Sequence, residues 1–309
     1  MTLKASTLEK LEALKVKFDN RGQDVDAYLD GLMESEFLSY WEYIHLETLL
    51  SLQTPRTNYP DEKIFIMYHQ ISELYFKLCL HEMEQIVAEE SVTETFLLNK
   101  VKRLNNYFKA LIGSYEIMVD GMEKEQFLKF RMALLPASGF QSAQFRKIAF
   151  YATDLANLAN GFGGEVTAEQ NMIERYENIY WKKGAIDLKT GQKTLTLKQF
   201  EEHYDEELIA LATRLENSNL NTKLNNISVG EELKAALRLF DVQANINWPL
   251  SHYKSAVRYL KKDPVDVEAT GGTNWQSYLP PKFQKVSFFP SLWSEKDLSE
   301  WGKSWVESI

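Results

Sequence analysis

An all-α, bundle-like fold follows from three features of the chain. Apolar residues recur at three-to-four-residue spacing through nearly every segment, alternating strand-like runs are short and scarce, and Gly- and Pro-containing breakers divide the periodic stretches. With 309 residues, 44% of them apolar and 13% aromatic, the chain has ample material for a core. Long antiparallel helices with short links suit such a sequence, and no composition shift marks a second domain.

Taken in order, the periodicity predicts helices over Ser6–Phe18, Val25–Leu52, Pro60–Glu89, Val92–Ile117, Glu123–Leu134, Gln141–Ala159, Leu197–Asn217 and Gly230–Lys262. The breakers are Thr54–Pro60, Gly161–Gly164, Gly184–Lys193 and Asp263-Pro264. Pro249 falls inside the last helix and predicts a kink there. Residues 1–36 read as an N-terminal helical arm on a single domain spanning 1–309. Residues 263–309 read as an aromatic, proline-rich tail that packs over the core, with Pro280-Pro281 blocking regular structure.

Charge and cysteine usage exclude several function classes. The net charge of −9 is spread over mixed-sign helices with no basic stripe, so no nucleic-acid partner is expected. A single cysteine, Cys79, forbids an intrachain disulfide and the thiolate clusters that hold zinc or iron–sulfur centres. The start of the chain has no signal-peptide pattern, and no run of about eighteen apolar residues suggests a membrane span, so the expected address is the cytoplasm. Gly161–Gly164 lacks the preceding strand and lysine-hydroxyl pair of a phosphate loop, and reads as a turn.

Five histidines remain as candidate ligands: His45, His69, His81, His203 and His252. There is no His-Glu-x-x-His run and no carboxylate-rich calcium loop, and His45, His81 and His203 are expected on ordinary helix surfaces or interfaces. The segment Phe65 to Leu74 is more telling. At about 3.6 residues per turn, Phe65, His69, Ser72 and Phe76 share one stripe, placing one imidazole among aromatic rings. By itself the stripe fits either a core histidine with a satisfied hydrogen bond or a site that grips a flat ligand.

Further segments bear on that choice. Arg131 to Arg146 read Arg-Met-Ala-Leu-Leu-Pro-Ala-Ser-Gly-Phe-Gln-Ser-Ala-Gln-Phe-Arg, Trp248 to His252 read Trp-Pro-Leu-Ser-His, and Thr270-Gly-Gly-Thr273 follows. With Tyr40-Trp-Glu-Tyr43 and Leu49 to Gln53, these ordered blocks resemble the tryptophan 2,3-dioxygenase family, most specifically through Ser138-Gly139-Phe140-Gln141-Ser142. The resemblance implies an all-α protein holding haem b, with iron as Fe2+ in the active state. It also implies cleavage of the indole C2–C3 bond of L-tryptophan by O2 to give N-formylkynurenine, the entry to the kynurenine pathway of tryptophan catabolism.

By the same resemblance His252 is the axial iron ligand, and Ser138 and Gly139 line the haem pocket. His69 is the catalytic residue that hydrogen-bonds the indole nitrogen, and Phe65 packs on the indole ring. Arg131 is the clamp for the substrate carboxylate, where a guanidinium fork offers two charge-assisted donors. Thr270 contacts the ammonium, with Gly271-Gly272 allowing close backbone approach. Tyr40 and Tyr43 reach the pocket of a neighbouring subunit in a homotetramer, a dimer of dimers.

Two departures bear on substrate identity. Phe127 stands where the family commonly has a tyrosine that helps hold the carboxylate, and Asp263–Ala269 lengthens the interval between His252 and Thr270. In addition, Thr273-Asn274-Trp275 replaces a usual Ser-x-Gly run. The alternatives are a haem-dependent monooxygenase or hydroxylase of another aromatic amino acid or indole, and, from another class, a haem-binding sensor or carrier without turnover.

Overall fold

A computed structural model describes residues 3–159, 166, 170–187, 190–261, 276 and 279–303. Helices account for the regular structure among these residues, and two isolated antiparallel bridges, Ala159 with Ile179 and Ile186 with Lys193, are the extended pairings recorded. None of the described helices is long and apolar enough to cross a membrane. The chain divides into two compact units, Met1–Gln53 and Thr54–Ile309.

Within the first unit, the expected Val25–Leu52 helix is three helices: Val25–Glu34, Tyr40–Tyr43 and Leu46–Ser51. The interruptions fall at Phe37 (φ 55°) and His45 (φ 50°), whose left-handed backbone cannot continue a right-handed helix. Neither break carries the Gly or Pro that would have announced it. The first two starts are capped locally: Asp24 accepts from the Asp26 N–H at 2.9 Å, and Ser39 and Glu42 form a reciprocal capping box, whereas Leu46–Ser51 starts from His45 without a side-chain cap. Phe18 of the first helix, Ala5–Asp19, meets Tyr28 edge-on at 4.6 Å.

The second unit is built round the 28-residue helix Asp61–Ala88, which packs against Glu94–Ser114 and Ala143–Ala152. Glu231–Val242 closes the far side of Glu94–Ser114. Met83, Ile86, Leu97, Leu104, Phe108 and Phe240 are fully buried between them, each burial supplying about 1.5–3 kcal/mol of apolar stabilisation. Polar residues define the helix starts. Asp61 and Glu62 occupy a first turn, where the helix dipole favours acids, and each also ties a loop: Asp61 accepts from Glu123 N–H at 2.6 Å, and Glu62 from Arg56 N–H at 2.6 Å. Thr93 and Thr194 cap Glu94–Ser114 and Leu195–Leu215.

Other expected helices are trimmed or modified. Val92–Ile117 breaks at Tyr115, Glu123–Leu134 tightens to a 3-10 turn from Arg131, and Gln141–Ala159 ends at Ala152 before a 3-10 turn over Leu155–Leu158. In the Gly230–Lys262 stretch, a π segment over Gln243–Asn247 joins Glu231–Val242 to Trp248–Leu260. Pro249 has no N–H to give, and the widened turn just before it absorbs the missing bond. Short helices at Met172–Glu177, Tyr180–Gly184, Leu220–Leu224, Pro281–Gln284 and Glu295–Ser299 carry too few residues for periodicity to reveal.

The described part of the tail packs on the core through one carboxylate. Asp241, wholly buried, accepts from Asn245 Nδ2 (2.8 Å), Ser287 Oγ (2.6 Å), the N–H groups of Phe288 (2.8 Å) and Phe289 (3.3 Å), and Trp293 Nε1 (2.9 Å). Phe288 then stacks near Phe240 at 5.7 Å. Burial pushes the Asp241 carboxyl above the usual carboxylate range, against the pull of these donors.

Candidate active site

A cavity of about 280 Å³ opens inside the second unit, walled by Asp61–Ala88, Ala143–Ala152, Trp248–Leu260 and the turns between Arg131 and Gln141. It gathers six of the residues singled out from the sequence: Phe65, His69, Arg131, Ser138, Gly139 and His252. Tyr40 and Tyr43 lie in the first unit, 70% and 74% exposed on their short helix. Thr270 lies outside the described residues, as do Gly271 and Gly272. His45, His81 and His203 are exposed, as expected.

The two cavity histidines are held in the same way. His69 Nδ1 lies 2.8 Å from the Phe65 carbonyl oxygen, and His252 Nδ1 lies 3.1 Å from the Trp248 carbonyl oxygen, each one helical turn back. A carbonyl can only accept, so each Nδ1 carries the proton and each Nε2 keeps its lone pair. Packing fixes the ring planes. Phe65 stacks on His69 with centroids 4.1 Å apart, while His252 is gripped by Trp248 at 4.5 Å and Tyr115 at 4.7 Å.

Burial depresses both imidazoles. For His69 it outweighs the opposing pull of the Phe65 carbonyl and Glu73, and for His252 it lowers the pKa to about 4 against the pull of the Trp248 carbonyl, with His69 and then Arg146 acting in the same direction as burial. The unfolded chain protonates near the ordinary value of 6.5, whereas the folded chain resists until about 4. This contribution to stability is therefore complete above about pH 6.5 and is lost as pH falls towards 4. Urea unfolding of the haem-free chain should show a loss on the order of 1–2 kcal/mol between pH 7 and pH 5 from His252 alone. His252→Leu should reduce that loss; an unchanged pH slope would place the titrating groups elsewhere.

Arg131 opens a 3-10 turn, is 5% exposed, and has its pKa lowered by burial. Ser138 starts the next turn: its Oγ accepts from Phe140 N–H at 3.3 Å while Gln141 Oε1 accepts from Ser138 N–H at 3.2 Å. This closed turn brings Gly139 so near that a β-carbon there would stand 3.8 Å from His69 Nε2. Glycine thus keeps the space before that nitrogen clear. Phe127 lines the wall and packs on Tyr259 at 4.6 Å, whose hydroxyl donates to the Met122 carbonyl at 3.2 Å. Tyr259 is therefore committed to the backbone and does not replace the hydroxyl that Phe127 lacks.

Tyr115, Arg146 and Tyr180 also line the cavity, and none was singled out from the sequence for a role there. Arg146 closes the quoted Arg131-to-Arg146 string, but nothing in its spacing shows that it faces inward. Elsewhere, Glu177, Glu201 and Asp205 converge as metal ligands could, but Lys182 Nζ sits 2.6, 3.0 and 2.9 Å from them, which makes the group an ion-pair cluster.

The cavity's chemistry fits haem. One neutral imidazole nitrogen is offered to a metal without accompanying thiolates or a ring of carboxylates, aromatic faces form the walls, and buried guanidinium groups suit the carboxylates of a porphyrin. Both imidazoles remain neutral at physiological pH, the state that ligation requires.

A family model described as tryptophan 2,3-dioxygenase matches residues 28–162. Curated relatives named tryptophan 2,3-dioxygenase agree over most of the chain. The protein of Herpetosiphon aurantiacus is 28% identical over 267 residues, covering 84% of this chain and 98% of its own length. That of Bacillus anthracis is 29% identical over 269 residues (84% and 92%), and that of Bradyrhizobium sp. 28% over 276 residues (83% and 91%).

Proposed function

We propose that this chain, a relative of the tryptophan 2,3-dioxygenases, is a haem-dependent dioxygenase that opens the indole ring of L-tryptophan to N-formylkynurenine. The observation that carries the reading is the pair of neutral imidazoles, each with Nδ1 on a carbonyl and Nε2 available, on one aromatic-walled cavity with a buried guanidinium. His252 would hold haem b through Nε2, and the ferrous haem would supply the activation of O2.

The protein's own share is positioning and electrostatics. His69 Nε2, a lone-pair acceptor, takes a hydrogen bond from the indole N–H and orients the ring; it need not remove a proton from so weak an acid. Phe65, stacked on His69, offers its ring to the indole. Ser138 and Gly139 shape the haem side of the pocket, and Arg131 takes the substrate carboxylate. Thr270, Tyr40 and Tyr43 join the site on the strength of the family resemblance alone.

A homotetramer suits this reading. Met67, Ile71, Leu74 and Leu78 form a stripe along Asp61–Ala88, each between 41% and 50% exposed, and Met33 and Phe37 of the first unit are 85% and 88% exposed. Apolar side chains so presented favour burial against further copies of the chain.

Aerobic turnover of L-tryptophan with reductant and isotopically labelled O2 tests the function. Incorporation of both labelled oxygens into a ring-opened product supports it. One labelled oxygen on another aromatic amino acid, the result that Phe127 would favour, replaces it with a hydroxylase, and haem uptake without turnover replaces it with a sensor or carrier. Within the dioxygenase reading, Arg131→Met should weaken L-tryptophan binding by about 1.5–3 kcal/mol while sparing indole, which has no carboxylate. Spectral titration with both ligands measures this, and equal losses would make Arg131 structural.

A further inference from the structure

Arg146 is a buried cation that meets no acid among the described residues. It is 6% exposed and lines the cavity, and among the described residues no carboxylate lies within ion-pair distance of it. Its hydrogen bonds are long and reach neutral oxygens: Nη1 to the Tyr180 hydroxyl at 3.5 Å and Nη2 to the Phe140 carbonyl at 3.3 Å. Nε is buried with no partner. The faces of Phe140, Phe145 and Trp181, at 5.1, 5.7 and 4.9 Å, surround the guanidinium. One turn earlier Ser142 Oγ is also buried and unpartnered, at the N-terminus of Ala143–Ala152, whose first turn carries partial positive charge. An uncompensated buried cation is costly, and a charge-assisted carboxylate contact would offset that cost.

We propose that Arg146, with Ser142 and Tyr180, forms a carboxylate-binding corner of the cavity that anchors a propionate of the haem, separate from the substrate clamp at Arg131. The proposal rests on the haem reading above. A porphyrin of the b type brings two carboxylates, whereas the amino-acid substrate brings one, which Arg131 already serves.

Haem transfer from the holoprotein to excess apomyoglobin tests the assignment by rate rather than by turnover. Arg146→Met should speed haem loss about tenfold or more, Arg146→Lys should restore part of the retention, and Tyr180→Phe should have a smaller effect. With haem dimethyl ester, whose carboxyls carry no charge, wild type and Arg146→Met should release at equal rates. Equal loss of natural haem from both proteins overturns the proposal. So does an Arg146→Met protein that keeps haem but binds L-tryptophan less tightly while binding indole normally, because the carboxylate is then the substrate's. Should Arg146→Met not fold, the Lys and Tyr180→Phe proteins decide alone: both matching wild type overturns it. A wild type that takes up no haem fails the functional reading first and this inference with it.

Discussion

His252→Ala should purify without haem, and His69→Ala should purify with it. Nε2 of His252 is the iron-ligand atom assigned here, and the ring is already aimed: its Nδ1 is held by the Trp248 carbonyl at 3.1 Å and its faces are packed by Trp248 and Tyr115. Removing the ring would take away the nitrogen proposed to hold the iron and would leave a gap in the cavity wall. His69 has an equally fixed ring, but it faces the substrate in this assignment, so its loss should leave the haem spectrum in place while lowering kcat/KM for L-tryptophan. Absorption spectra of the ferrous proteins, recorded at equal chain concentration, separate the two. Normal histidine-ligated haem in His252→Ala, or its loss in His69→Ala alone, would exchange the roles of the two imidazoles. Loss in both would point to a pocket that fails to fold without either ring.

Asp241→Ala should destabilise the second unit by roughly 3–5 kcal/mol, measured as a lower urea midpoint. Five donors converge on this carboxylate, and two of them, the N–H groups of Phe288 and Phe289, belong to a buried backbone with no water to turn to. The effect should reach the site. Asp241 lies just before the π segment that leads to His252, and the tail it binds continues from Pro281–Gln284, whose Gln284 lines the cavity. Haem retention should therefore fall along with stability. A variant that unfolds like wild type would show that Phe240, Phe288 and Phe289 hold the tail without the carboxylate.

Much of the helical content was legible because it is a local property. Asp61–Ala88, Glu94–Ser114 and Leu195–Leu215 all appeared within a few residues of their observed ends, since each carries several turns of apolar periodicity and a polar start. Two failures have physical causes. The left-handed residues Phe37 and His45 break a stretch whose side chains all suit a helix, and helices of four to six residues contain too little pattern to detect. The residues proposed for the site were legible differently: His69 and His252 each sit four residues after an aromatic residue on a helix, and the Ser138–Ser142 string marks a turn. Their chemistry came from resemblance, which periodicity could not supply.

By itself, then, the sequence determined the helical class, the main helix spans, the absence of a disulfide and the candidate imidazoles, because propensity, spacing and cysteine count act along the chain. Only the tertiary structure decided which polar groups share a cavity. Arg131 and Arg146 look alike in sequence, yet folding buries both along one cavity and leaves Arg146 among rings with an Nε unpartnered among the described residues. Asp241 reads as an ordinary acid on a helix until residues 46 to 52 positions away supply four of its five donors. Burial and long-range pairing depend on where distant segments meet, and it is burial that lowers both the His69 and His252 imidazoles.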